Sequence, residues 1–223
     1  MLGKNIKFSN FIFKKKISNK KKILSIFKKL IKEKNEIVLS LGKNYKDSFS
    51  KKKINKIKKK KHFLLIGMGG SILGAKAIYK FLSPKNKKFT FIDNLSSIPS
   101  EINLKNKVNL IISKSGNTLE TISNANIMIN KKDTNIFISE NKKSYLIELA
   151  NKLKSEVIQH NNFIGGRYSV LSEVGMLPAQ LMGFKPENFR SLNQLVNKKF
   201  FINSLIQNVS NIFDMINQKK KNS

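Results

Sequence analysis

Short apolar runs alternate with amphipathic stretches through the middle of the chain. Five runs are continuous enough to predict buried strands of a parallel sheet, in which both faces are covered and the apolar–polar alternation is lost. They are 63–66, 89–92, 108–112, 135–138 and the more polar 156–159. Helical spacing predicts helices from the glycine-rich turn after the first strand to about Phe81, over 118–128 and over 144–153. The sequence therefore predicts an α/β fold with a doubly wound five-stranded parallel sheet.

Both ends of the chain carry helical patterns outside this alternation. The first 60 residues form a lysine-rich helical arm, which we expect to pack on the main domain. The apolar stripe of the arm consists of Ile23, Leu24, Ile26, Phe27, Leu30 and Ile31. At the other end, a loop after Ile164 runs into a helix that Pro178 kinks or restarts, and two amphipathic helices follow. Their apolar residues are Phe189, Leu192, Leu195 and Val196 in the first helix, and Ile202, Leu205, Ile206, Val209, Ile212, Phe213 and Ile216 in the second, before a frayed polar end at 219–223.

The pattern changes at His62 and again after Phe163, which divides the chain into three parts. They are a helical arm at 1–60, an α/β domain at 61–163, and a C-terminal segment of loop and helices at 164–223. A chain of 223 residues is long enough for one sizeable core with such an appended arm.

A glycine-rich turn, Gly67–Gly74, follows the first predicted strand and invites comparison with nucleotide-binding loops. The dinucleotide motif G-x-G-x-x-G is only partly matched, because its third glycine falls on Ile72, although Asp93 stands where a ribose-binding acid would. The P-loop motif also fails, since Ala75 occupies the lysine position and Lys76 comes one residue late.

We interpret this glycine turn as one that allows close approach of the backbone to a ligand. Gly69 and Gly70 would bring backbone N–H groups to that ligand. Ser71 caps the following helix, touches the substrate, or does both. Binding of NAD stays an alternative with incomplete motif support.

A second polar turn follows the third predicted strand and brings together Ser113, Lys114, Ser115 and Thr118. A helix that begins there offers unpaired N–H groups and a partial positive charge to an anion. The hydroxyls add hydrogen-bond donors and the lysine adds a full charge. This set of donors suits a phosphate monoester better than a carboxylate, which could use only part of it.

Helix capping is the alternative explanation for part of this serine turn. Asn117, with Glu120 three residues later, resembles a capping box. Capping does not explain Ser113, Lys114 and Ser115, because they precede the cap position and a lysine at a helix N-terminus opposes the helix dipole. A bound anion would remove that conflict.

The formal net charge of +31 raises the question of a polyanionic partner. Only Arg167 and Arg190 among the 44 basic residues are arginine, and the lysines are spread along the chain beside many Asn and Ile residues, whose codons are likewise A/T-rich. Nucleic-acid readers use arginine for base contacts and aromatic residues for stacking, a pattern that this sequence does not have. We therefore expect no specific nucleic-acid partner. The basic arm could lie on a membrane surface, but the lysines are more simply a solvated surface, and we expect no membrane partner.

The chain contains no cysteine, and its two histidines, His62 and His160, are far apart in the sequence. We therefore expect no disulfide, no metal site and no cofactor. The apolar runs fall well short of the roughly 20 residues that span a bilayer. These features favour a cytoplasmic protein.

Three motifs together resemble the glucose-6-phosphate isomerase (phosphoglucose isomerase) family in their order and approximate spacing. They are Gly67-Met-Gly-Gly-Ser-Ile-Leu-Gly74, Ser113-Lys-Ser-Gly-Asn-Thr-Leu-Glu-Thr121 and Gly165-Gly-Arg-Tyr-Ser169. The resemblance covers about residues 60–182 and implies the sugar isomerase (SIS) domain, which has a flavodoxin-like five-stranded sheet. It also implies the family's activity in glycolysis and gluconeogenesis, the interconversion of glucose 6-phosphate and fructose 6-phosphate through an enediolate.

The resemblance also implies which residues form the site. The phosphate would be held by Ser113, Lys114, Ser115 and Thr118, and the sugar would lie near Gly70, Ser71 and Gly166. Arg167 would be catalytic, because a guanidinium beside C1 and C2 stabilises the enediolate formed when a base removes the C2 proton. The alternative for Arg167 is an ordinary surface salt bridge.

The family's other catalytic groups have no counterpart in this sequence. A glutamate base, a ring-opening histidine from the other subunit and a further lysine lie in a second SIS domain of the family, whereas this chain ends at Ser223. Glu120 and Glu173 match none of these positions, and we interpret His160 as a strand-end residue. We expect an N-terminal isomerase portion, weak or inactive alone, that binds a hexose 6-phosphate and forms a homodimer or associates with a complementary C-terminal half. The alternative is a non-catalytic, regulatory SIS module that binds a sugar phosphate.

Overall fold

Five strands and nine α-helices lie in the parts of the chain that the computed structural model describes, which are residue 17 and residues 19–95, 107–190 and 196–221. The strands are β1 His62–Gly67, β2 Lys88–Ile92, β3 Val108–Ile112, β4 Thr134–Ser139 and β5 Glu156–Gln159. The helices are α1 Lys20–Lys32, α2 Glu36–Ser40, α3 Lys51–Ile57, α4 Leu73–Leu82, α5 Leu119–Met128, α6 Tyr145–Lys152, α7 Glu173–Met182, α8 Pro186–Phe189 and α9 Lys199–Lys221. Two short 3₁₀ helices lie at Gly69–Ser71 and Gly166–Leu171.

The strands form one sheet in the order β2-β1-β3-β4-β5, and every neighbouring pair is parallel. This confirms the predicted α/β fold with a five-stranded parallel sheet. The strands β3 and β5 have the predicted bounds, and the other three extend by one residue at one or both ends. The prediction succeeds because strands covered on both faces are marked by continuous apolar runs.

The core on one face of the sheet joins four central strand residues to two helices. The strand residues are Leu64, Ile66, Ile111 and Phe137, and the helix residues are Ala125 and Met128 of α5 with Leu146 and Ala150 of α6. Burying each large apolar side chain stabilises the fold by about 1.5–3 kcal/mol. The same packing fixes α5 and α6 beside the carboxyl ends of the strands that precede them.

The strand order reverses direction between β1 and β3. From β1 the chain moves to β2 on one side and then crosses to β3 on the other side. In the register of this pair, Gly67 lies opposite Ile112, so the turns after β1 and β3 leave the sheet side by side. A crevice at such a reversal is where parallel α/β sheets bind ligands.

The helix after the Gly-Gly-Arg motif differs from the sequence prediction. Pro178 lies inside α7, which runs unbroken from Glu173 to Met182, so the predicted restart is wrong. A proline inside a helix costs about 3 kcal/mol or more. Nearly all of α7 is buried, and that packing outweighs the local preference of the proline.

The two predicted C-terminal helices have different outcomes. In the first, Pro186–Phe189 and Val196 are helical, and Leu192 and Leu195 lie outside the described residues. The second is α9, which contains the predicted apolar positions and continues to Lys221, through most of the end that the sequence predicts to be frayed.

The described residues form two compact units. One runs from Lys43 to Arg190 and contains the whole sheet, and the other contains α1, α2 and α9. The N-terminal apolar stripe lies in α1 as predicted, and the rings of Phe27 and Phe201 lie 6.5 Å apart within the second unit. The expected packing of the arm on the main domain stays a prediction, as do the domain boundaries at 60 and 163. None of the helices in the described ranges is both long and apolar enough to span a membrane.

Candidate functional site

The turn after β3 carries four of the predicted site residues to the start of α5. Ser113 is buried, and its Oγ lies 2.9 Å from Oγ1 of Thr118. Gly116 closes the turn in a left-handed conformation with φ of 67° and donates its N–H to the carbonyl of Ser113. The two hydroxyls therefore meet at the end of β3, with Lys114 and Ser115 between them along the turn.

The first turn of α5 has no side-chain cap. Thr118 is the N-cap residue, but its hydroxyl turns back to the end of β3. The predicted capping box of Asn117 and Glu120 is wrong, because Oδ1 of Asn117 accepts from the N–H of Tyr145, the first residue of α6. The N–H of Asn117 donates to Oγ of Ser115. A helix start without a side-chain cap has N–H groups to offer to an anion.

A cluster of two lysines and one glutamate stands beside this turn. Nζ of Lys114 lies 3.2 Å from Oε1 of Glu140, and Nζ of Lys142 lies 2.7 Å from Oε2. Lys114 also donates to the carbonyl of Asn162 at 2.7 Å. Burial alone would raise the pKa of Glu140, but hydrogen bonds from both lysines and their charges outweigh burial and lower the pKa. Glu140 is therefore a carboxylate that orients Lys114.

Sequence reasoning missed Glu140 and Lys142. Both residues follow β4, the strand next to β3, and the N–H of Glu140 donates to the carbonyl of Lys114. Because parallel strands end at the same edge of a sheet, polar residues after β4 could have been placed beside the turn after β3. That signal is available in the sequence once the strand order is known.

The glycine turn after β1 packs directly against the loop that carries the Gly-Gly-Arg motif. A Cβ at Gly70 would lie 2.2 Å from the carbonyl oxygen of Gly166, so only glycine allows this contact. Oγ of Ser169 lies 2.8 Å from that oxygen and 3.2 Å from the carbonyl oxygen of Gly70. Gly70 thus packs closely against the chain itself, and this contact brings the backbone of Gly166 and Arg167 to the glycine turn. The approach of the Gly69 and Gly70 N–H groups to a ligand stays a prediction.

Arg167 is exposed on the second 3₁₀ helix. It forms no ion pair with any of the described residues, so the alternative of a surface salt bridge finds no support in this part of the chain. Glu173, a nearby carboxylate in the sequence, is bound to His160 instead. His160 directly follows β5 and is buried, as expected for a strand-end residue.

The residues that favoured a nucleotide site have other partners. Oδ2 of Asp93 lies 2.5 Å from Nζ of Lys76 and forms an ion pair with it, so this acid has a structural partner in the protein. Ser71 lies in the first 3₁₀ helix and does not cap α4, whose N-cap residue is Ile72. Among the described residues, no three His, Asp or Glu side chains gather as a metal site would require.

Comparison with known proteins assigns these motifs to a family. The sequence model of the family described as phosphoglucose isomerase matches residues 18–223. The chain belongs to the phosphoglucose isomerase family. Both turns and the Gly-Gly-Arg loop lie inside the matched range, so the family resemblance stated for the three motifs is confirmed.

Two glucose-6-phosphate isomerases illustrate how this member of the phosphoglucose isomerase family relates to others. The enzyme from Methanocaldococcus jannaschii is 40% identical over 133 residues, which are 54% of this chain and 32% of that protein. The enzyme from Mycoplasma genitalium is 34% identical over 162 residues, which are 62% of this chain and 38% of that protein. The chain thus spans about a third of the length of these relatives.

Among solved structures, a hypothetical protein from Thermus thermophilus has the same fold. It matches with a TM-score of 0.64 at 19% sequence identity, and the match covers 85% of this chain and 52% of that one. The similarity agrees with the α/β architecture of this phosphoglucose isomerase family member.

Proposed function

We propose that this chain is the N-terminal, sugar-phosphate-binding portion of a glucose-6-phosphate isomerase, which interconverts glucose 6-phosphate and fructose 6-phosphate. One observation carries the proposal, which is that the hydroxyls of Ser113 and Thr118 meet at the uncapped start of α5, in the turn that also contains Lys114. Backbone N–H groups, hydroxyls and a fixed positive charge are the donors that a phosphate dianion accepts from. Membership of the family and the similarity to named isomerases support this ligand.

Binding of the phosphate at the serine turn requires an exchange of partners. The hydroxyls of Ser113 and Thr118 bond to each other, and each turns to a phosphate oxygen when the ligand arrives. Lys114 has three N–H donors, so it contributes one to the phosphate while Glu140, which Lys142 also holds, keeps it oriented. The hydroxyl of Ser115 is the third hydroxyl that donates to the phosphate. On the neighbouring glycine turn and loop, the sugar lies near Gly70, Ser71 and Gly166.

Arg167 has the role of stabilising the enediolate. In the open-chain aldose a base removes the proton from C2, and the C1 carbonyl oxygen takes up the negative charge. Return of a proton to C1 and movement of the hydroxyl proton from O2 to O1 then give the ketose. An exposed guanidinium that no described carboxylate neutralises can face both oxygens where this charge develops.

The base for this proton transfer is expected in another part of the protein. Glu173 is buried and bonded to His160, so it cannot reach a substrate. We propose that a second SIS domain supplies the base, from the same polypeptide or from a complementary chain, and that the protein acts as a cytoplasmic homodimer. A well-placed base contributes about 10²–10⁴-fold in rate, so the chain by itself isomerises weakly or not at all. The second SIS domain would be additional to the three segments proposed for this chain, which are 1–60, 61–163 and 164–223.

Glu173 is paired with His160 and is not available as a base, which also favours a second candidate function. This candidate is a non-catalytic SIS module that binds a sugar phosphate and regulates another protein. The two candidates share the binding site and differ in turnover. An isomerase assay with the chain and its complementary half separates them, because only the first candidate gains turnover when the missing half is supplied.

Calorimetric titration with fructose 6-phosphate tests the shared site. Replacing both Lys114→Ala and Ser115→Ala should weaken binding by at least about tenfold, because hydrogen bonds to a charged group contribute about 1.5–3 kcal/mol each. The matched control is Lys152→Ala with Ser155→Ala, which removes the same two side chains near the start of β5, at the opposite edge of the sheet. Equal loss in both double variants would indicate nonspecific attraction to lysine, and no loss in the first would place the phosphate elsewhere.

A further inference from the structure

A buried ionisable pair lies beneath the loop that carries Arg167. The side chains of His160 and Glu173 are each only 1% exposed, and Nδ1 lies 2.6 Å from Oε1. Burying ionisable groups carries a desolvation cost that the mutual attraction of a pair only partly offsets, so such a pair is weak evidence for stability alone. The proposed binding and isomerisation steps do not use this pair.

The pair joins the two ends of one segment. His160 directly follows β5 and Glu173 is the first residue of α7, so their contact closes the base of the intervening loop. Arg167 lies within that loop, on the second 3₁₀ helix. Closing a loop at its base restricts the positions of everything between the two ends.

Further hydrogen bonds connect the His160–Glu173 pair to the backbone at the start of the loop. Nε2 of His160 lies 3.0 Å from the carbonyl oxygen of Ile164, and the N–H of Asn161 donates to Oε1 of Glu173 at 2.8 Å. The hydroxyl of Tyr45 donates to Oε2 at 3.2 Å. Both carboxylate oxygens therefore have partners, and two of the bonds end on the backbone of the segment before Gly165, one at Asn161 and one at Ile164.

The protonation of the pair follows from its partners. A carbonyl oxygen can only accept, so Nε2 carries a proton in order to bond to Ile164. Burial alone would raise the pKa of Glu173, but hydrogen bonds from His160 and from the N–H of Asn161 outweigh burial and lower it. The carboxylate also stands at the N-terminus of α7, where the helix dipole favours negative charge. Glu173 is therefore the acceptor in every bond it makes here.

The other end of the loop is fixed independently. The guanidinium of Arg190 donates from Nε at 3.0 Å and from Nη2 at 2.7 Å to the carbonyl of Leu171. Ser169 and the contact of Gly70 with Gly166 hold the middle. The buried pair holds the segment from Asn161 to Ile164, together with the bond from Lys114 to the carbonyl of Asn162. Loss of the pair would therefore loosen the side of the loop that leads into the Gly-Gly-Arg motif.

We propose that His160 and Glu173 are positioning residues for Arg167, which they serve by closing the base of its loop and fixing the backbone that leads into it. The inference rests on the proposed function, which gives Arg167 its task. Neither side chain has a polar atom to offer to the substrate, because both ring nitrogens of His160 and both carboxylate oxygens of Glu173 are bonded within the protein. Side chains that act on a reacting group need neighbours that lock their geometry, and a directional pair with both oxygens bonded provides such a lock.

Hydrogen exchange on the full chain tests the positioning directly. In Glu173→Gln, exchange of the amides from Asn161 to Tyr168 should become at least about tenfold faster, while amides of β3 and β4 keep their protection. The matched control is Glu156→Gln, which replaces a carboxylate in β5 that pairs with Lys53. If Glu173→Gln unfolds, Tyr45→Phe removes the donor to Oε2, together with the bond between that hydroxyl and the side chain of Asn161. This variant should accelerate the same amides by about two- to fivefold.

Steady-state kinetics adds a measurement that a purely structural role would not change. In Glu173→Gln, the kcat for isomerisation, measured with the complementary half present, should fall by about tenfold or more, while the KM for fructose 6-phosphate stays within about twofold. Unchanged exchange in the loop, or equal changes in kcat and KM, would overturn the positioning role. Absence of both binding and turnover in the unmodified protein would overturn the proposed function instead, and the exchange data would still decide whether the pair fixes the loop.

Discussion

The turns after β1 and β3 leave the same edge of the sheet side by side and lead into helices, but they make different contacts. The glycine turn packs against another loop at one position, because Gly70 touches the backbone of Gly166 with no room for a Cβ. The serine turn has no side-chain cap on its helix, and among the described residues its hydroxyls bond to one another or within the turn. The first turn holds a loop of the protein, and the second has donors to give to an anion.

This difference shows why a glycine-rich motif is a weak guide to its ligand. A glycine after a strand indicates only that something approaches closely, and here the neighbour is the loop that carries Arg167. The acid that would have supported a dinucleotide is paired with Lys76. By contrast, hydroxyls and a lysine ahead of a helix start have no structural use as caps, so they point to a ligand more specifically.

The largest expected effect is a loss of turnover without a loss of affinity when Arg167, on the loop that packs against the glycine turn, is replaced. Arg167→Ala should lower isomerase kcat by about 10²–10³-fold, the usual effect of removing one donor to a developing oxyanion. Affinity for fructose 6-phosphate should stay within about twofold, because the proposed phosphate donors all lie on the serine turn. Steady-state kinetics with the complementary half, combined with calorimetry, provides both values, and Arg167→Lys is the control that keeps the charge. Equal losses of affinity and turnover would mean that Arg167 holds the phosphate.

A smaller effect is expected from filling the contact at the glycine turn. Gly70→Ala should destabilise the protein by about 1–3 kcal/mol, since its Cβ would overlap backbone that cannot rotate away. Gly69→Ala is the matched control, because Gly69 has φ of 52° but open space around it, and left-handed strain alone costs about 1–2 kcal/mol. Urea unfolding compares the two variants. Phosphate binding at the serine turn should survive in both, and a Gly70→Ala protein as stable as wild type would contradict the close packing.

The strands could be predicted from the sequence because burial on both faces leaves a local mark. Val108–Ile112 is apolar at all but one position, and its predicted bounds are those of the structure. The position of the serine turn at the start of α5 follows from the same pattern. Pro178 shows the limit of local signals. Its tendency to end a helix is visible in the sequence, but burial of α7 outweighs that tendency.

Pairings across the sheet edge could not be predicted in the same way. Asn117 accepts a hydrogen bond from the first residue of α6 and does not cap α5, and Glu140, which follows the neighbouring strand β4, pairs with Lys114. The partnership of His160 with Glu173 likewise depends on how the loop between them folds back. Each of these contacts depends on which strands are neighbours, information that a single sequence carries only through its resemblance to a family.

The most direct test is a crystal structure of the protein with fructose 6-phosphate bound. We expect the phosphate at the start of α5, within hydrogen-bond distance of the hydroxyls of Ser113, Ser115 and Thr118 and of Nζ of Lys114. A sugar phosphate bound elsewhere, or a serine turn that keeps the Ser113–Thr118 bond at saturating ligand, would contradict this expectation.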